Sequence, residues 1–164
     1  MNEAILLLGS NAGDRIAMIE NAKLLLTKEK INIIKQSSLY ETEAWGLEDQ
    51  PVFLNQVVIA KTDLNAAKLL NTLLEIEHQM GRIRIKKWEQ RCIDIDILFF
   101  NDAVINDPEA SGGLKVPHPH LHERRFTLIP LNELVPSYLH PVFNKTISEL
   151  LDECNDDKEV KRLS

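Results

Sequence analysis

An α+β sandwich is the fold class this sequence predicts, and three observations predict it. Apolar runs of strand length and stretches of helical periodicity follow one another in the order β, α, β, β, α, β. Glycine, asparagine, aspartate and proline punctuate the joins between them. Neither an internal repeat nor a linker-like stretch divides the 164 residues, so a single domain over 1–164 is expected, with ample length for one core.

The first element is the apolar run Ala4 to Leu8, which ends at Gly9 and leaves through Ser10, Asn11 and Gly13 as a turn. Asp14 is placed to cap the helix that follows, because Ile16, Ile19, Ala22, Leu25 and Leu26 recur at helical spacing. Gly-Ser-Asn-Ala-Gly-Asp lacks the glycine spacing of a dinucleotide loop and the Gly-Lys-Ser/Thr ending of a Walker loop, so a strand-to-helix turn accounts for it. Ile31 to Thr42 reads as a second strand and Val52 to Thr62 as a third, separated by a loop holding Trp45, Gly46 and Pro51. Trp45 there is either a packing residue or part of a ligand lid. Asn55 interrupts the third strand's apolar run and must satisfy its amide, on backbone or on a heterocyclic ligand.

Asp63 or Asn65 starts a second helix whose apolar positions run from Leu69 to Met80, and Gly81 stops it. Glu77 reads as a solvated charge one turn before the end. The fourth strand closes the pattern; a turn and a short strand or hairpin partner over Asn101–Glu109, a flexible connection over Glu109–Leu114 and C-terminal helices follow it. The β-α-β-β-α-β order is that of a ferredoxin-like sandwich with a small hairpin and C-terminal helical additions. The last helix carries Thr146 as N-cap with Glu149 at the capping-box position, and the charged tail beyond it is expected to fray.

The chemistry concentrates between Arg82 and Phe100. A basic loop with Arg82, Arg84, Lys86, Lys87 and Arg91 leads into an apolar strand interrupted by Asp94 and Asp96. Strand side chains alternate, so these carboxylates share a face about 7 Å apart, while Ile93, Ile95 and Ile97 face the other way. The apolar neighbours predict a central strand buried on one face. Two like charges there are costly unless solvent, ion pairs or a cation neutralise them. Ordinary ion pairs on a solvated edge strand are one answer. The other is magnesium, which takes one or two carboxylates and completes its shell with water and substrate phosphates. The basic loop would suit those phosphates.

Composition narrows the partners. A formal net charge of −6 argues against a general nucleic-acid partner and leaves the basic loop as a local site for a small anion. Cys92 and Cys154 have neither disulfide-framework nor zinc-finger spacing, and the N-terminal apolar run is too short for a membrane span. A cytoplasmic monomer without a membrane partner is the expectation. His118, His120 and His122 lie around Pro119 without accompanying cysteines, which favours a turn, or a phosphate-binding role, over zinc.

Taken together, G-S-N-x-G-D at 9–14, S-S-L-Y-E-T at 37–42, F-L-N at 53–55, I-E-x-x-x-G-R at 76–82, R-x-x-D-I-D-I-L at 91–98 and V-P-H-P-x-L-H-E-R-x-F at 116–126 carry a specific likeness. The chain resembles the 6-hydroxymethyl-7,8-dihydropterin pyrophosphokinase family of folate biosynthesis. The resemblance implies transfer of diphosphate from ATP to a pterin alcohol, with two magnesium ions on Asp94 and Asp96. It implies that Arg82, Arg84, Trp88 and Arg91 belong to a loop closing over the substrates, and that Glu77, Ile97, His118 and Arg124 lie along the nucleotide. Thr42 and Asn55 would read the pterin edge, with Phe53 and Phe126 on its faces. Two departures stand out: Trp-Glu-Gln-Arg at 88–91 where the family usually has Trp-Gly-Pro-Arg, and Thr-Glu-Ala-Trp-Gly at 42–46 where Thr-x-Pro-x-Gly is common. Both bear on loop closure, and neither touches a metal ligand.

Overall fold

The structure, a computed structural model, describes residues 1–42, 52–81 and 92–163. The main sheet is built from β1 (Asn2–Ser10), β2 (Asn32–Gln36), β3 (Tyr40–Thr42), β4 (Phe53–Thr62), β5 (Asp94–Phe100) and, from the tail, β8 (Val160–Arg162). Its order is β5-β1-β4-β3-β8, with β2 pairing β4 beside β3, and the pairs are antiparallel. A separate hairpin joins β6 (Ile105–Asp107) to β7 (Leu114–Val116) through a turn in which Gly112 and Gly113 take φ of 75° and 84°.

Four helices cover the two faces. On one side α1 (Arg15–Lys28) and α2 (Ala66–Met80) bury Ile19, Ala22, Leu26, Leu69, Leu73 and Ile76 against Leu6, Leu8, Val58, Ile95 and Ile97. On the other, α3 (Arg125–Leu134) and α4 (Ile147–Glu153) pack Leu128, Leu131, Ile147 and Leu150 on Ile5, Leu7, Val57, Leu98 and Phe99. The alternation of β1 and β4 supplies both cores, which is why these strands are apolar nearly throughout and sit at the sheet's centre. The helix caps follow local chemistry: Asp14 accepts from Ala17 N–H at 3.1 Å, Asn65 from Lys68 N–H at 2.9 Å, and Thr146 and Glu149 form the reciprocal capping box.

Four expectations are corrected. The second strand is two, β2 and β3, because Ser37 turns inward; its hydroxyl accepts from Val57 N–H at 3.0 Å while Gln56 Nε2 donates to its carbonyl at 2.7 Å. β5 is not central but lies at the sheet's edge beside β1. Gly9 does not leave the strand: β1 continues through Ser10, and Gly9 pairs with Asn55 on one side and Asp94 on the other. Gly81 ends α2 as expected, at φ −87°, its N–H donating to Glu77 O at 2.8 Å. The charged tail does not fray, since β8 pairs with β3 and Leu163 N–H donates to Leu39 O at 2.8 Å. Backbone pairing with β3 gives an otherwise polar segment the partners that its side chains do not advertise.

Candidate functional site

The register of four strands builds the site. Thr42 pairs with Phe53, and the row Tyr40, Asn55, Gly9, Asp94 crosses the sheet from β3 to β5 with Leu7 and Asp96 one step along. Residues opposite one another in antiparallel strands share a face. Thr42, Phe53, Asn55, Asp94 and Asp96 therefore converge on the α3 side, as the period-two reading of Asp94 and Asp96 requires. Arg124 and Phe126, at the start of α3, complete a cavity of about 260 Å³ floored by Leu7 and Gly9. A Cβ on Gly9 would lie 2.6 Å from Asn55 Oδ1, so the strand carries glycine where the amide approaches the backbone most closely.

One polar group of the cavity stands out. Thr42 is buried, and its hydroxyl has no hydrogen-bond partner among the described residues, a cost that an incoming donor or acceptor would remove. The Arg124 guanidinium lies 5.6 Å from the Phe126 ring centroid, a cation–π contact that orients both walls. Asp94 and Asp96 are half-buried.

A second cavity, of about 330 Å³, wraps the open edge of β5. Leu70, Leu74 and Glu77 of α2 line it together with Ile97, His118 and the turn residues Gly112 and Gly113. Edge position explains two of its groups. Ile95 N–H, which among the described residues has no strand on that side to bond, donates to Glu77 Oε2 at 2.6 Å, and His118 N–H donates to Leu98 O at 3.0 Å. Glu77 is thus an edge-capping carboxylate and not the solvated charge its helical position implied. His118 Nδ1 accepts from His120 N–H at 3.1 Å, so any ring proton resides on Nε2. Burial, with Arg124 and His120 adding to it, pulls the His118 pKa down to about 4, leaving a neutral ring at physiological pH.

Asp96 lines both cavities. Among the described residues no group of three His, Cys, Asp or Glu side chains could hold a metal ion. A donor set of two carboxylates fits magnesium, which leaves its other positions to water and phosphate, and does not fit an all-protein cage. Of the sequence-predicted residues, the structure thus brings Thr42, Phe53, Asn55, Asp94, Asp96, Arg124 and Phe126 to one cavity and Glu77, Ile97 and His118 to the other. Arg82, Arg84, Trp88 and Arg91, with the departures at Ala44–Trp45 and Glu89–Gln90, lie outside the described residues. Sequence reasoning missed Leu7 and Gly9 as floor and Leu70, Leu74 and Lys115 as wall of the second cavity. The alternation of β1 offers the first two, once Asn55 and Asp94 are known to flank it.

Two adjoining cavities at one end of an antiparallel sheet, joined at a carboxylate, define a small α+β domain built for a pair of small ligands. Residues 5–136 match the family described as 7,8-dihydro-6-hydroxymethylpterin-pyrophosphokinase, HPPK, and the chain belongs to that family. It is 44% identical over 146 residues to a 2-amino-4-hydroxy-6-hydroxymethyldihydropteridine pyrophosphokinase of Aquifex aeolicus, covering 89% of this chain and 88% of that protein. A Bacillus subtilis protein of the same name is 43% identical over 134 residues, covering 81% and 78%. A crystal structure of Plasmodium falciparum HPPK-DHPS has the same fold, with a TM-score of 0.74 at 22% identity over 93% of this chain, which spans 45% of that longer one.

Proposed function

We propose that this chain transfers diphosphate from ATP to the hydroxymethyl group of 6-hydroxymethyl-7,8-dihydropterin, releasing AMP, as a step of folate biosynthesis. The observation that carries the reading is Asp96, which borders both cavities, so that a ligand in each would meet at this carboxylate. Family membership supports the reaction class and ATP as co-substrate. The strand order, with β2 and β3 sharing one strand's place, supports a ferredoxin-like core.

In this reading the first cavity takes the pterin. Phe53 and Phe126 pack on the ring faces, and Thr42 and Asn55 hydrogen-bond its edge, relieving the buried hydroxyl. The second takes the nucleotide, with His118 offering a neutral Nε2–H toward phosphate oxygens, to which Arg124, on the wall of the first cavity, adds a fixed charge. Arg82, Arg84, Trp88 and Arg91 belong to the loop that closes over both. Asp94 and Asp96 would hold two magnesium ions, which supply charge neutralisation and a lowered pKa for the alcohol. The pterin oxygen forms its bond to the β-phosphorus as the bond from that phosphorus to the α,β-bridging oxygen breaks; the hydroxyl proton is released and AMP departs. The protein's share is mainly positioning and electrostatics.

The deciding experiment follows AMP production from ATP with magnesium, with and without the pterin alcohol. AMP should appear only with all three present, and Asp96→Ala should abolish it while the circular dichroism spectrum is retained. AMP release independent of the pterin, or full turnover in the variant, would overturn the reading.

A further inference from the structure

The segment after α4 is charged and has little apolar content, yet it touches both walls of the first cavity. Helix α3 begins at Arg125 with no side-chain cap from its own N-cap residue, Arg124. Its first N–H, that of Arg125, donates instead to Asp156 Oδ2 at 3.0 Å, 31 residues along the chain. The other oxygen, Asp156 Oδ1, accepts from Lys158 N–H at 3.0 Å and fixes the turn that leads into β8. There Val160 pairs with Thr42, and Arg162 with Tyr40. Arg125 is flanked by the cavity residues Arg124 and Phe126, and Val160 lies opposite the cavity residue Thr42. One short segment thus clips the helical wall at one point and the strand wall at the next.

Apolar packing holds the body of α3, where Thr127, Leu128 and Leu131 are fully buried, but Arg124 and Arg125 precede that buried stretch and Phe126 is only partly buried at its start. β3 is three residues long, and Glu133 ties it to the far end of α3, accepting from Ser38 N–H at 3.0 Å and Tyr40 O–H at 2.6 Å. The clip therefore acts on the first turn of α3, the part that carries Arg124 and Phe126.

We propose that the C-terminal segment sets the spacing of the pterin cavity and that Asp156 is its positioning residue. The inference rests on the reading of that cavity as the pterin site. Because Glu77, Ile97 and His118 of the second cavity lie around β5, away from the clip, and Arg124 is the one nucleotide group beside it, nucleotide affinity should depend on the clip less than pterin affinity.

The test measures KM for each substrate, kcat and the thermal unfolding midpoint for Asp156→Ala, Asp156→Asn and Asn55→Ala. Asp156→Ala should raise the pterin KM about tenfold, in line with the sensitivity of ligand placement to small displacements. The ATP KM should rise by less than about threefold, through Arg124 alone, the unfolding midpoint should fall by no more than the loss of one helix cap brings, and kcat should stay within about threefold. Asp156→Asn, which keeps an oxygen for the Arg125 N–H, should recover most of the loss. An unchanged pterin KM in Asp156→Ala, or a parallel rise of both KM values with a lowered midpoint, overturns the role of the tail. Should Asn55→Ala leave the pterin KM unchanged, the reading of the cavity itself falls; a damaging Asn55→Ala beside a silent Asp156→Ala removes only the clip.

Discussion

At the scale of single residues, the approach of Asn55 to Gly9 is the tightest constraint in the site. Gly9→Ala would put a methyl 2.6 Å from Asn55 Oδ1, with Leu54 O only 3.8 Å away on the same side. The amide must rotate out of the cavity or the strands must part. We expect a loss of about 1–3 kcal/mol in a denaturant titration, the usual range for overpacking, together with a weakened pterin KM. A second residue-scale prediction concerns acid. His118 and His140 both accept backbone N–H groups on Nδ1, His140 from Val142 at 3.1 Å and Phe143 at 3.2 Å. Burial lowers the pKa of each to about 4, helped by Arg124 and His120 for the first and by His122 for the second. In the unfolded chain these rings take up protons near pH 6.5, so between about 6.5 and 4 the unfolded state binds more protons than the folded one. Stability should therefore fall as pH drops through that window and level off below it. Urea midpoints measured across it should show a shallower slope in His140→Gln than in wild type.

Among elements, the tie between α3 and β3 stands out because the exposed carboxylate of Glu133 satisfies the phenol of the buried Tyr40. Glu133 accepts from Tyr40 O–H at 2.6 Å and from Ser38 through both its N–H and its hydroxyl. Burial, with the Glu133 carboxylate beside it, pushes the Tyr40 pKa up to about 12. Burial alone would raise the Glu133 carboxyl, but the bonds from Tyr40 and Ser38 outweigh it and hold the group below the usual carboxylate range. Removing the acceptor orphans a largely buried phenol, and Glu133→Ala should cost about 1–3 kcal/mol by chemical denaturation. Thr146→Ala, which breaks the capping box of the seven-residue α4, should cost about 1 kcal/mol in the same assay. The larger expected effect of the first reflects burial, since the cap of α4 is exposed.

For the whole molecule, both cavities sit at one end of the sheet, where β5 forms the edge and its bulge opposite Ile5 and Leu6 brings Leu98 and Phe99 into the same core. Ligand binding and folding are coupled through that end. A non-hydrolysable ATP analogue with magnesium, at about 100 times its Kd, should stabilise the folded state by about 2.7 kcal/mol. Calorimetry should show the rise in unfolding midpoint, and Asp94→Ala should remove it while leaving the midpoint of the unliganded protein near wild type.

The sequence by itself determined what depends on near neighbours. Helical spacing with Asp14 and Thr146 located the starts of two helices and left Asp63 or Asn65 for a third, where the structure selects Asn65; period-two alternation put Asp94 and Asp96 on one face with the isoleucines on the other. The six short motifs carried the family, and most of the candidate site came with them. Tertiary structure alone decided what depends on pairing between distant segments. Strand order made β5 an edge and turned Glu77 into its cap, because a carboxylate on α2 meets Ile95 N–H only when no strand lies there. It placed Gly9 between Asn55 and Asp94, and it gave the charged tail a backbone partner in β3. Backbone hydrogen bonds are the same for every non-proline residue, so side-chain pattern does not encode which segment a strand edge will meet.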